Sequence, residues 1–170
     1  MAGDLLSRID REASLHWLGL ILLLDQMPRN IYRGEQARVA FTIFDPLAQE
    51  VARRAIGEGI PNDAKVSKRV VYRCWFFFPL MHSEDAELHK ECVSWCSRLV
   101  DDAKKSLGGA ADGDLGLAVK FAENLCGVEE RHRAIIERFG RYPYRDQVLG
   151  RHPTPEEEAY LRDGGETFGG

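Results

Sequence analysis

A chain of 170 residues with 44% hydrophobic content is long enough for one sizeable core and too short for two ordinary domains. We therefore expect a single domain over residues 1–170. The formal charge of −4 and the lack of a basic block make nucleic acid a poor partner. The N-terminal residues show no secretory pattern, and the longest apolar run is too short to span a bilayer. We expect a soluble, cytoplasmic protein that does not bind a membrane.

The segment from Leu15 to Leu24 is predicted to be a helix with apolar residues on every side. Only His16 within it carries an ionisable group, so the helix should be buried. Pro28 lacks a backbone donor and disfavours the α conformation at Met27, which predicts that the helix stops there. Polar residues would then lie at its carboxyl end, namely Asp25, Arg29 and Asn30.

The next segments also have the apolar spacing of helices. Asp45 is a typical N-cap followed by a proline at the first helical position, and it predicts a helix that ends near Gly57. Asn62 is suited to cap the following helix. Pro79 should stop that helix, because proline cannot donate to the backbone ladder.

The second half of the chain is predicted to be helical as well. Ser83 should cap a helix that runs to about Leu107, and residues 108–113 should form a flexible loop. Residues 115–139 predict one long helix or a broken pair, and Thr154 begins a capping box. No segment alternates at period two, so we expect an all-α fold of antiparallel helical hairpins.

The cysteines favour core packing over metal or redox chemistry. None of them forms a CxxC pair, and two share one helical stripe. They are Cys74, Cys92, Cys96 and Cys126. The alternative is a metal site built from two residues four positions apart on one helix and one Glu-x-x-His motif on another. Di-iron helical bundles need the Glu-x-x-His motif twice, and this chain has it once. The residues of this metal alternative are Asp85, His89, Glu129 and His132. We therefore expect no metal and no cofactor.

Three motifs occur in order along the chain: LLDQMPRN at 23–30, PLMHSED at 79–85, and FGRYPYRD at 139–146 with LGR at 149–151. Together they resemble the domain of unknown function 924 family, over about Leu15 to Leu161. The resemblance implies an all-helical, tetratricopeptide-like arrangement, and that family has no assigned biochemical activity. It marks as candidate site residues Asp25, Arg29, Asn30, His82, Ser83, Glu84, Asp85, Arg141, Arg145 and Arg151.

The chain departs from the family pattern at two places. Members usually carry further helices and a Trp-rich stretch before the segment that resembles residues 15–24, so this chain looks short at its N-terminus. An uncovered first helix would expose apolar surface, and we expect a homodimer to form through it. Tyr144 and Asp146 stand where the family more often has His and Asn, so a proton-transfer role of that His is not carried onto Tyr144.

Several arginines lie in the irregular segments of this chain, which is acidic overall. Converging guanidinium groups bind carboxylate or phosphate in a bidentate manner. The predicted ligand-binding site consists of Arg29, Asn30, Arg33, Asp85, Arg141, Arg145 and Arg151. In the alternative interpretation, these arginines pair with nearby acids and exposed helix carbonyls and hold the loops together.

Two functions remain open at this point. The first is a helical module that binds an anionic small molecule or peptide through these arginines. The second is a small-molecule enzyme in which His82, with Asp25 or Glu84, transfers a proton. His82 could equally be a hydrogen-bond partner that anchors a loop. No common nucleotide, metalloprotease or hydrolase motif is present to decide between them.

Overall fold

The computed structural model describes residues 9–10, 13–107 and 114–168, which are mostly helical and contain no strand. This confirms the all-α fold. The α-helices are α1 (Ser14–Ile21), α2 (Met27–Ile31), α3 (Ala37–Val39), α4 (Asp45–Gly57), α5 (Ala64–Ser67), α6 (Val70–Arg73), α7 (Phe78–Met81), α8 (Ala86–Leu107), α9 (Asp114–Phe139), α10 (Asp146–Leu149) and α11 (Pro155–Arg162). The loop expected at 108–113 lies outside the described residues.

A π-helical turn, Leu22–Gln26, joins α1 to α2 without a break. The amide of Met27 bonds to the carbonyl of Leu22, five residues back, and Pro28 follows directly. Proline offers no donor to the carbonyl four residues before it and crowds that carbonyl, so a turn widened by one residue lets the helix continue. The predicted stop at Met27 is therefore wrong, and the helix runs on to Ile31.

A second π-helical turn, Ala40–Phe44, precedes α4 and its Pro46 in the same way. Asp45 was expected to cap α4 from outside the helix, and this is wrong. The residue before it is already helical, and no side-chain cap bond is present. The Asp45 carboxylate is buried and bonds elsewhere, as described below.

The first helix is buried on one side only. Trp17 and Ile21 are fully covered, but four apolar residues lie exposed at a spacing that places them on one face. They are Leu15, Leu23, Met27 and Ile31. The expectation that no face meets water is therefore wrong. Self-association through this helix stays a prediction.

The helix expected between Asn62 and Pro79 is divided into short pieces. Asp63, not Asn62, caps α5 by accepting the amide of Lys65 at 2.9 Å. A 3-10 turn, Cys74–Phe76, then tightens the chain so that neighbouring aromatic residues enter the core. Pro79 lies in the first turn of α7 and begins that helix rather than ending one, since a first-turn proline loses no helical bond.

The two longest helices, α8 and α9, form an antiparallel hairpin. His89 contacts Glu129 near one end and Lys104 contacts Glu123 toward the other, so the two helices run in opposite directions. The helix over 114–139 is unbroken. Among the described residues, no helix is long and apolar enough to cross a membrane.

Of the two helix caps predicted in the second half of the chain, the structure confirms one. Asp85 rather than Ser83 caps α8, by accepting the amide of Glu87 at 2.9 Å. The Ser83 hydroxyl instead accepts the amide of Asp85. The capping box at Thr154 is confirmed in full at the start of α11.

The main core lies between α1, α4, the α7 region and the hairpin. Its fully buried residues include Trp17, Val51, Phe76, Leu80 and Leu99. A smaller apolar cluster lies beyond it, beside the end of α9, around Ile135, Ile136 and Tyr142. The irregular segment after α9 packs on this smaller cluster, and the polar site lies where that segment reaches the first helix.

Candidate functional site

Five ionisable side chains from distant parts of the chain meet at one place, which we call the buried charge cluster. They are Asp25 in the first π-helical turn, Arg29 in α2, Asp45 at the start of α4, His82 directly after α7, and Arg145 in the 3-10 turn after α9. Both aspartates and Arg145 are almost completely buried.

The carboxylate of Asp45 joins the two arginines of the cluster. Arg29 donates from Nη2 to Oδ1 at 2.6 Å, and Arg145 Nη1 lies 3.4 Å from Oδ2. Arg29 Nη2 also lies 3.6 Å from Asp25 Oδ1. Two carboxylates therefore balance two guanidinium groups, which offsets the cost of removing these charges from water.

Arg145 is held by more than its ion pair. Its Nη2 donates to the carbonyl oxygen of His82 at 3.1 Å. The guanidinium carbon lies 4.4 Å from the ring centre of Phe41 and 4.6 Å from that of Tyr142. Cation–π contacts of this kind strengthen when they are desolvated. Arg145 therefore fixes the chain after α9 against the end of α7.

His82 and Asp25 form a hydrogen-bonded dyad. The His82 Nδ1 lies 2.7 Å from Asp25 Oδ1. Burial alone would raise the pKa of Asp25, but the charge and hydrogen bond of His82, with the charge of Arg29, hold that pKa below its usual value. An ionised Asp25 accepts a hydrogen bond from a protonated Nδ1, so in the neutral tautomer that keeps this bond the lone pair of the His82 ring is on Nε2.

A cavity of about 160 Å³ lies beside the cluster. Its polar lining comes from Gln26, Arg29, Asn30 and Arg33, and its aromatic lining from Tyr32, Phe41 and Phe168. None of the described residues that line it carries a carboxylate. The buried Nε of Arg29 has no hydrogen-bond partner among the described residues. Arg29 and Arg33 thus place two guanidinium groups at the cavity, and that of Arg29 is held in position by Asp45 and Asp25.

The remaining acids and arginines of the motifs form a second group, which we call the loop cluster. Arg151 donates to both carboxylate oxygens of Glu84 at 2.6 and 3.0 Å, and its Nε donates to Asp146 at 2.7 Å. Arg141 binds both oxygens of Glu157 at 2.7 Å. The Arg141 hydrogen bonds lower the pKa of Glu157 to about 2. These pairs fix the irregular segment to α11 and to the start of α8.

A third polar group lies inside the hairpin. Both ring nitrogens of the fully buried His89 face oxygen, with Nδ1 at 2.7 Å from Glu129 Oε1 and Nε2 at 2.9 Å from the Ser83 carbonyl. The Tyr142 hydroxyl donates to the Met81 carbonyl at 2.6 Å. A histidine between two acceptors either carries both protons or accepts one from a protonated Glu129. This network ties α8 to α9.

The four residues of the metal alternative do not share one site. His89 and Glu129 bond to each other, whereas Asp85 caps α8 at the surface. Within the described ranges, no group of three His, Cys, Asp or Glu residues could hold a metal ion. The four cysteines are free, and all but the half-buried Cys126 are buried, as core packing predicts.

The structure brings together only some of the candidate site residues. Asp25, His82, Arg29 and Arg145 meet in the buried charge cluster, and Asn30 and Arg33 line the cavity. Glu84, Arg141 and Arg151 belong to the loop cluster, and Asp85 is a helix cap. Sequence reasoning missed Asp45, because an acid before proline is the usual sign of a cap, and it missed Phe168, for which no local signal exists.

Comparison with known proteins identifies the family. The model of a family described as "Bacterial protein of unknown function (DUF924)" matches residues 2–165. The chain belongs to this family. The DUF924 chain is similar to a solved structure of a protein of unknown function from Agrobacterium tumefaciens, at 33% identity and a TM-score of 0.58. The match covers 91% of this chain and 71% of that one. None of the curated proteins compared with the chain matches it.

Asp45→Asn should strongly destabilise the protein. The change leaves Arg145 buried without its carboxylate, and breaking a buried pair costs about 3–5 kcal/mol. Denaturant unfolding of the variant and the native protein measures this difference. Asp163→Asn is the matched control, because its partner Arg162 is exposed and such pairs contribute about 1 kcal/mol or less. A variant as stable as the control would contradict the structural role of Asp45.

The buried His132 should make the protein less stable in mild acid. Burial lowers its pKa from 6.5 to about 3, so the unfolded chain takes up a proton in this range that the folded chain does not. The free energy of unfolding should therefore fall as pH decreases below 6.5, by up to about 1.4 kcal/mol per pH unit.

Denaturant unfolding at pH 7, 6 and 5 tests this dependence. His132→Gln carries no titrating group at this position, so it should lose less stability than the native protein over the same interval. The lowered pKa of Glu157 changes the free energy of unfolding only below about pH 5, so it does not affect this comparison. Equal losses in the two proteins would show that His132 is not the cause.

Proposed function

We propose that the cavity beside the buried charge cluster binds a small anionic ligand. The observation that carries this proposal is the lining, in which Arg29 and Arg33 border the cavity and no described lining residue is acidic. On a chain with a formal charge of −4, such a site is a local exception to the overall charge. Guanidinium groups bind carboxylate and phosphate oxygens in a bidentate manner.

The position of Arg29 supports the same proposal. Its Nη2 is fixed by Asp45 and Asp25, so the side chain is ordered before any ligand arrives. Binding then costs less side-chain entropy, because the guanidinium does not need to be immobilised. The cavity volume, about 160 Å³, suits a compact anion rather than a long peptide, since a cavity of about 150 Å³ holds a benzene molecule.

Arg33→Ala should weaken anion binding at least about tenfold without unfolding the protein. Arg33 is exposed and lies outside the buried charge cluster, unlike Arg29. The ligands are acetate, benzoate and inorganic phosphate, and the measurements are thermal shift and calorimetry. A ligand at 100 times its Kd stabilises the folded state by about 2.7 kcal/mol. We expect at least one of the three to stabilise the native protein, with affinity at least about tenfold lower for Arg33→Ala.

Arg38→Ala is the matched control for charge. Arg38 is also exposed and close in sequence, but it does not line the cavity. It should keep the affinity of the native protein. If Arg33→Ala and Arg38→Ala bind equally well, or if none of the three anions binds the native protein, the proposed anion site is wrong.

A second candidate function is proton transfer by the His82–Asp25 dyad, and the 2.7 Å bond between the two residues favours it. Asp25 would orient the ring, His82 Nε2 would act as the base, and Arg29 would hold the anionic part of the substrate. Glu84 is less suited to this role, because Arg151 and the Tyr142 amide occupy its oxygens. His82 does not line the cavity itself, so a substrate would have to extend from the cavity toward it.

Carbethoxylation followed by mass spectrometry tests whether His82 offers a reactive nitrogen. The reagent modifies neutral imidazole, so His82 should react in the native protein on the timescale of the exposed His16. The fully buried His89, with both nitrogens bonded, is the internal negative control. If His82 reacts as slowly as His89, its Nε2 is not accessible and the enzymatic alternative fails.

A further inference from the structure

The segment after α11 places one aromatic side chain at the edge of the anion cavity. Phe168 is part of the cavity lining with Arg29 and Arg33. Its ring also lies flat on His132, with the ring centres 3.4 Å apart and the planes within 15° of each other. One side chain of the chain's own tail therefore fills the space between the cavity and His132.

The tail reaches this position through two glycines. Gly164 has a φ of +84°, which favours glycine over other residues. A Cβ on Gly165 would overlap the ring and the carbonyl oxygen of Tyr160, so no larger residue fits there without a shift. This part of the backbone is thus shaped to lay the following residues over the site.

Beyond the ring of Phe168, few contacts with other described residues hold the segment after α11 in place. The Glu166 amide donates to the Tyr160 hydroxyl at 2.8 Å, and the Gly165 amide donates to the Tyr160 carbonyl at 2.8 Å. The ion pair of Glu166 with Arg131 lies at the surface, where such pairs contribute little. Removing Phe168 from the site therefore breaks few interactions besides those of the ring itself.

His132, on which the Phe168 ring stacks, is buried and incompletely hydrogen-bonded. It is 3% exposed, and its Nδ1 donates to the carbonyl of Val128. Its Nε2 is buried and has no hydrogen-bond partner within the described part of the chain. Because its lowered pKa keeps the ring neutral near pH 7, Phe168 stacks on an uncharged aromatic surface.

We propose that Phe168 occupies a ring-binding subsite of the anion cavity, and that an aromatic carboxylate is the ligand class that displaces it. This inference rests on the proposed anion-binding function. The carboxylate would lie near Arg29 and Arg33, and the ligand ring would take the place of the phenyl ring on His132. The ligand ring then stacks on His132 as the phenyl ring did, so the exchange keeps an aromatic pair at this position.

Benzoate is the probe, and acetate is its matched control without a ring. Calorimetry compares the native protein with Phe168→Ala, in which the subsite is vacated. We expect benzoate to bind Phe168→Ala at least tenfold more tightly than the native protein, whereas acetate affinity changes less than twofold. Benzoate should also shift the His132 ring resonances in the variant, and acetate should not.

Two further variants separate loss of the ring from loss of the fold. Gly165→Ala prevents the tail from seating against Tyr160 but leaves the subsite residues intact, so it should tighten benzoate binding in the same way. Thr167→Ala changes an exposed neighbour of Phe168 and should behave as the native protein.

Each result has a definite consequence. If benzoate binds with native or weaker affinity in both Phe168→Ala and Gly165→Ala while anion binding still depends on Arg33, Phe168 is a wall of the cavity and the subsite is refuted. If neither acetate nor benzoate binds any variant, the cavity is not a carboxylate site and the subsite falls with it.

Discussion

The carboxylate of Asp45 is the interaction on which the arrangement of the polar site depends. It receives Arg29 from the first helix and Arg145 from the segment after α9, which is 100 residues further along the chain. Arg145 also donates to the carbonyl of His82, so the Asp45 carboxylate indirectly fixes the position of the C-terminal end of α7. Charges that are buried without partners are unstable, so these segments keep their relative positions only together.

This dependence bears on the two interpretations of the arginines. Arg145 is fully engaged by Asp45, a backbone carbonyl and aromatic rings, and its role is structural. Arg29 belongs to both interpretations, because its Nη2 is held by the aspartates while its side chain also lines the cavity. A guanidinium has five donors, so one group can hold the fold and still face a ligand. Arg141 and Arg151 fit the loop-holding interpretation.

Local signals in the sequence predicted the helical class of the fold and the cap at Thr154, but they misplaced several other helix ends, and non-local partners were not predictable from them. The capping box at Thr154 depends only on residues three positions apart, and the sequence placed it correctly. Asp45 carries the same local signal of a cap, but its buried partners come from distant segments and override it. The stacking of Phe168 on His132 could not be predicted, because no periodicity or spacing in the sequence indicates it. Only the folded chain brings the two residues together.

The π-helical turn at Leu22–Gln26 makes the length of the first helix part of the site. An α-helix rotates by roughly 100° per residue, so one residue more or fewer in this turn would swing Arg29 around the helix axis and away from Asp45. The leucines of the turn could be exchanged for other apolar residues without that effect. A single-residue deletion here would therefore harm the site more than most substitutions, even though it removes no charged group.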